Sequence, residues 1–167
     1  MSEQNSNIYT GQIASPPTRF DVGELGGRER VVVGNVVLAT NDFDADGDII
    51  RLCKLPSNAR VTSIMMSNDD LGTSNDMNIG LYADEGALID EDEFATGVVV
   101  FDTATTVMTE HLGSGIGSAE LNLEETLWER AGLTADTGLM YEICLTQTAA
   151  VTEAAGDVAF IIKYTVD

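Results

Sequence analysis

The sequence predicts an all-β fold, and three observations carry that prediction. Short runs rich in Val, Ile and Thr recur along the chain, Gly, Pro, Asn and Asp turns separate them, and a single segment carries a helical signature. At 167 residues, 44% of them hydrophobic, the chain is long enough to bury one substantial core without staples. About eight such runs point to a two-sheet sandwich or a barrel.

Residues 1–29 stand apart. They hold Asn5, Ser6, Asn7, Gly11, Ser15, the pair Pro16-Pro17, Gly23, Gly26 and Gly27, with few apolar residues and no sustained period of two or 3.6. This reads as an extended N-terminal arm ahead of a sandwich domain spanning 30–167. Two outcomes fit such an arm: a disordered terminus, or a tail that orders on a neighbour. Ile8, Tyr9, Ile13 and Phe20 are its apolar anchors, and Arg19 and Arg28 are its cations. These six are the candidate partner-binding residues.

From residue 30 the pattern is strand-like. RVVVGNVVLAT ends in the acidic turn NDFDADGD, DIIRLCKL runs to the turn Pro56-Ser57-Asn58, and ARVTSIMMS runs into SNDDLGTSND. MNIGLYA, TGVVVFD and TTVMTEHL follow, then GLMYEICLTQT and DVAFIIKYTV. In DIIRLCKL, Ile50, Leu52 and Lys54 share one face and Ile49, Arg51 and Cys53 the other, so that strand alone does not settle inside and outside. Cys53 and Cys144 each lie within an apolar run, where a free thiol behaves as a small hydrophobe; this reading stands ahead of a disulfide.

The helical segment is ELNLEETLWERAGL. Asn122 suits an N-cap, Glu125 completes a capping box, and Gly132 sits where a left-handed C-cap is wanted, which predicts a short helix over 122–131. Leu123, Leu127 and either Trp128 or Ala131 share a face, so the helix is expected to lie as a lid over one edge or end of the sandwich. Trp128 reads as a core or rim anchor.

Charge restricts the function. The chain has 28 Asp and Glu against 8 Lys and Arg, a net of −20, yet its apolar content is too high for a disordered acidic chain. A surface of that sign repels phosphate backbones and anionic headgroups, so nucleic acid and membrane are not expected partners. The N-terminus shows no basic start followed by an apolar run, and no stretch nears the ~20 apolar residues of a membrane span, so synthesis in the cytosol is expected.

Few residues offer chemistry. His111 is the single histidine, and neither a G-x-S-x-G elbow, an H-x-x-x-H pair nor a C-x-x-C is present. GSGIGS at 113–118 lacks the lysine of a phosphate loop and reads as a flexible loop. The sharpest motif is DFDADGDII, in which Asp42, Asp44, Asp46, Gly47 and Asp48 match the first half of an EF-hand calcium loop; Cys53 stands where that loop needs a bidentate Glu. The motif therefore reads either as a calcium loop of another type, with Asp42, Asp44, Asp46 and Asp48 as ligands, or as a solvated acidic turn. A second acidic run, ADEGALIDEDEF, reads as a solvated loop. No cofactor other than calcium is suggested, and no enzyme.

Two stretches, GDIIRLCKLPSNARVTSIMMSNDDLGTSNDMNIGLYADEG and LWERAGLTADTGLMYEICLT, resemble the small structural proteins of tailed-bacteriophage virions, in particular the decoration or cement proteins of the capsid head. The resemblance spans roughly residues 47–166. It implies a β-sandwich of jelly-roll type, a homotrimer, and the major capsid protein as partner. It also implies a place on the outer capsid surface after assembly in the host cytoplasm, and no catalytic residues. The alternative kept beside it is a calcium-dependent binding module, a receptor- or glycan-binding virion component.

Overall fold

A computed structural model describes residues 14–16, 27–40, 42–73, 76–84, 86–99, 102–117 and 122–166. The strands are β1 (Arg28–Leu38), β2 (Ile49–Pro56), β3 (Ala59–Asn68), β4 (Gly72–Thr73), β5 (Asp76–Ala83), β6 (Leu88–Val99), β7 (Thr105–Glu110), β8 (Met140–Gln147), β9 (Thr152–Glu153) and β10 (Gly156–Val166). Among the described residues one helix, α1 (Leu127–Arg130), lies between β7 and β8. Eight of the strands form two antiparallel sheets of four, ordered β1-β10-β3-β7 and β2-β8-β5-β6, while β4 and β9 pair as a small ribbon. The expected all-β sandwich with one short helix is the fold.

Alternation of side chains builds the core. Val158, Phe160 and Ile162 of β10 and Ile64 and Met66 of β3 face Met77, Ile79 and Leu81 of β5 and Ile143 and Leu145 of β8, all buried. Each fully buried apolar side chain of this size contributes roughly 1.5–3 kcal/mol of transfer free energy. Gly34 lies opposite Phe160 in the β1-β10 register, and a Cβ there would stand 2.5 Å from the ring, so a small residue in β1 makes room for a large one in β10. A register shift between Arg51 and Cys53 turns Ile50, Leu52 and Leu55 of β2 all into the core, which resolves the ambiguity of that strand.

The two sheets differ on their outer sides. In the second sheet, Glu142, Cys144 and Thr146 of β8 and Asn78 and Tyr82 of β5 point away from the core and are nonetheless buried. The cover comes from β6. Between Ile79↔Ala95 and Leu81↔Asp90, β6 spends five residues against two of β5, and it spends further extra residues at its other two register shifts. The strand therefore arches over the sheet, and the carbonyls of Asp90 and Glu91 settle on Gly80. The outer side of the first sheet has no such cover along β1, where Val31, Val33 and Val37 are exposed.

Three local expectations are corrected. The strand expected at 96–102 begins at Leu88, so ADEGALIDEDEF is largely strand and not a solvated loop; its bulges let Asp90 and Glu91 reach solvent while Phe94 and Ala95 enter the core. The helix runs 127–130 instead of 122–131, with Thr126 and not Asn122 as N-cap, because Glu129 reaches back to the Thr126 N–H (2.8 Å) and hydroxyl (2.6 Å). Leu123 is consequently exposed, while Leu127 is buried and Trp128 and Ala131 pack on the core. At the other end Gly132 takes φ +72, donating to Glu129 as Leu133 donates to Trp128, which is the left-handed cap expected of it. GSGIGS is not free: the Gly113 N–H donates to Phe94, and Ser114 accepts from the Thr96 N–H, which fastens the loop to β6.

A Cβ at Gly80 would lie 2.6 Å from two backbone carbonyl oxygens, which cannot swing aside as a side chain would. Gly80→Ala should therefore lift β6 from the sheet and lower stability by about 1–3 kcal/mol, measured by denaturant unfolding. An unchanged midpoint would show that the arch carries no stability.

Candidate functional site

The acidic turn 42–48 is built from backbone closure. Asp42 accepts the Ala39 N–H at 2.9 Å and Asp48 accepts the Ala45 N–H at 2.9 Å, each three residues back. Gly47 donates to the Gln147 carbonyl and Val151 to the Asp44 carbonyl, tying the turn to the end of β8. Phe43, between two aspartates, is buried in the core. Two of the four candidate ligands thus act as turn acceptors. Among the described residues no group of three or more His, Cys, Asp and Glu side chains is placed to hold a metal ion.

A second acidic site lies where β6 arches. Asp90, Asp92, Glu93 and Ile116 line a hollow of about 340 Å³. The Asp92 carboxyl is held above the usual range by its hydrogen bond to Asp90 and by partial burial. Burial raises Glu93, against the pull of Arg130. Arg130 is itself buried; it pairs with Glu93, donates to the Asn122 carbonyl at 2.6 Å, and stacks 5.2 Å from the centre of the Phe94 ring. This cation anchors α1 to β6, a structural connection with no signal in the local sequence pattern.

A third cluster lies on the covered side of the second sheet. Glu142 is buried beneath Arg51 and Lys54, and Lys54 also pairs with Asp84 in the β5-β6 turn. Lys54 is raised above its ordinary value by its hydrogen bonds to Asp84 and Glu142. Next to this cluster, Cys144 is buried and Cys53 partly so; both are free, and burial pushes each thiol up to about 12, leaving neither as a nucleophile.

His111 is buried. Its backbone N–H donates to the Ile64 carbonyl at 2.8 Å, and its ring Nε2 has no partner among the described residues. Burial lowers its pKa, opposed by Glu110. Among the described residues no serine or cysteine side chain is hydrogen-bonded to its ring, so no nucleophile and base are paired there. Of the candidate partner-binding residues, Ile8, Tyr9, Ile13, Arg19 and Phe20 lie outside the described residues. Arg28 is the first residue of β1, exposed and opposite Val166.

No protein-family model matches this chain, and no curated protein sequence matches it. Its fold matches solved structures. A chain in the capsid of Ralstonia phage GP4 aligns with a TM-score of 0.57 at 18% identity, over 83% of this chain and 85% of that one. A chain in the capsid asymmetric unit of cyanophage Pam1 aligns with a TM-score of 0.54 at 18% identity, over 100% of both. The likeness of fold to phage virion proteins agrees with the resemblance drawn from the sequence.

The turn geometry sets one test. Asp42→Ala and Asp48→Ala each strand a backbone N–H and should cost about 1 kcal/mol, equally in calcium and in chelator. A melting temperature that rises with millimolar calcium, and loses that rise in Asp44→Asn with Asp46→Asn, would instead assign the turn to a cation.

His111 sets another. Its folded pKa is depressed, so below about pH 6.5 the unfolded chain takes up a proton that the folded chain refuses, and stability falls as the pH drops. Melting curves from pH 8 to 5 should show this loss, and His111→Leu should reduce it. Superimposable pH profiles for the two proteins would rule His111 out as the source.

Proposed function

We propose that this chain is a non-enzymatic virion structural protein that binds the outer surface of a phage capsid as a homotrimer and stabilises it by clamping neighbouring major capsid proteins. The observation that carries the reading is the likeness of fold, over the full length of both chains, to a chain in a phage capsid asymmetric unit. The site chemistry supports it: the buried thiols are high in pKa, the single histidine has no hydrogen-bonded nucleophile among the described residues, and Arg51, Lys54 and Arg130 serve the enclosed carboxylates Glu142 and Glu93. What remains to the surface is contact.

The jelly-roll form belongs to the same proposal, and the strand order supports it. Leaving aside the β4-β9 ribbon, the first strand lies beside the last, and successive strands alternate between sheets except for the β5-β6 hairpin. In this reading the rigid sandwich sits on the lattice and the arm, with Ile8, Tyr9, Ile13, Arg19, Phe20 and Arg28, reaches a neighbouring subunit. Such a contact needs roughly 1,200–2,000 Å² of buried surface, and repetition over a lattice multiplies its effect.

Co-sedimentation with capsids that lack this protein tests the function, with density for the sandwich on the outer surface of reconstituted particles as the expected outcome. Absence from the particle would end the proposal. Deleting residues 1–25 should leave the melting temperature of the isolated protein within a few degrees of wild type while weakening attachment. Equal attachment of the truncated protein would place the clamp in the sandwich.

A further inference from the structure

Four strands border the two sheets among the described residues, and three are protected against pairing. β2 carries Arg51, Lys54 and Pro56 and a register shift; β6 carries four acidic residues and three register shifts; β7 is only six residues long. β1 is different. It pairs with β10 through eleven consecutive residues without a shift, and from Val31 to Leu38 it contains neither charge nor proline. Its outer row, Val31, Val33, Asn35 and Val37, is uncharged and open to solvent, with Val31 51% exposed and Val33 and Val37 each 70% exposed. A long, flat, apolar edge on a chain of net charge −20 is a surface built to be covered.

The charges at its two ends indicate what covers it. Arg28 and Arg30 are exposed at the start of β1 and have no ion-pair partner among the described residues, whereas Arg51, Lys54, Arg130 and Lys163 each pair with a carboxylate. Just past the other end lies the acidic turn with Asp42, Asp44, Asp46 and Asp48. The strand is therefore basic before and acidic after an uncharged middle. Antiparallel pairing of two identical strands sets each basic end against the other's acidic end, which parallel pairing does not.

We infer that two copies of this chain pair through their β1 edges, antiparallel about a two-fold axis at Asn35, joining the first sheets of both into one continuous sheet. In that register Val33 of one copy lies opposite Val37 of the other and Val32 opposite Leu38, which brings Arg28 and Arg30 of each copy to the end of the other's β1 where the acidic turn begins. The face parity is preserved, so both open valine rows fall on the same side of the joined sheet. The contact does not depend on the capsid reading, and within a lattice it would link one trimer to the next across a two-fold.

Sedimentation of the full-length protein at physiological ionic strength tests this. The wild type should show concentration-dependent pairing, of monomers into a dimer or, where the homotrimer already forms free in solution, of one trimer with the next. Val33→Lys, which places a charge in the exposed apolar row without touching the core, should weaken the dimer by about tenfold or more while retaining a wild-type circular dichroism melt. Arg28→Glu with Arg30→Glu should weaken it as well, and adding Asp44→Lys with Asp46→Lys to the same chain should restore it, because the ends are again complementary. A monomer at every soluble concentration overturns the inference, as does a dimer insensitive to Val33→Lys. A dimer that forms only after residues 1–26 are removed also overturns it, since the arm would then be what covers the edge. Each of these outcomes is read without capsids and is separate from success or failure in binding them.

Discussion

The structure depends on how a surplus of carboxylates shares a handful of cations. Burying an unpaired carboxylate costs several kcal/mol, so every acidic side chain that the fold encloses needs a positive partner or a set of donors. Glu142, beneath the arch of β6, has Arg51 and Lys54; Glu93, against the helix, has Arg130. These pairs are what allow the outer side of the second sheet to be closed at all. Removing one cation would leave its carboxylate enclosed without compensation, which is far costlier than losing an exposed pair such as Lys163 with Glu29.

The same arrangement makes the sandwich two-sided in a functional sense. The extra residues of β6 bend it over Gly80, so the second sheet has its outer side sealed by backbone and by paired charges. β1, with no extra residue, stays flat against β10 and leaves its outer valines in solvent. Exposed carboxylates repel another acidic body, and the paired cations have little attraction left to offer. Neutral apolar surface is thus where an acidic protein can associate most readily, and along β1 three exposed valines stand in one row.

Much of the architecture was legible in the sequence, because strand and turn chemistry is local. β-branched runs broken by Gly, Pro, Asn and Asp located seven of the eight longer strands and the last residues of β6, and Gly132 marked the helix end by the left-handed backbone it adopts. The acidic half of β6 was not legible. Charged residues argue for a solvated loop, and only pairing with β5 together with the bulges lets Asp90 and Glu91 sit in a strand while still reaching water. The helix start was misplaced for a related reason: Asn122 and Thr126 both precede a Glu by three residues, and the choice between them falls to Leu127, which must enter the core, and to Arg130, which must meet Glu93. Long-range partners of this kind leave no mark in a local window. For the acidic turn, the pattern showed four aspartates but not that Asp42 and Asp48 are engaged by their own backbone.

At 18% identity to chains of two phage capsids, what this chain shares with them is the layout of strands, not a set of side chains. Alternation and turn placement suffice to specify such a layout, and they tolerate wide substitution as long as core volume and parity are kept. Specificity of contact must then come from what the shared layout leaves free: edge strands, loop charges and the arm. In this chain those features are unevenly distributed. Acid crowds the turns, Arg51, Lys54 and Arg130 are engaged by enclosed carboxylates, and the long uncharged edge of β1 has basic residues before it and an acidic turn after it. The fold supplies a rigid plate, and the pattern of charge along β1 gives that plate a direction in which an identical copy fits it.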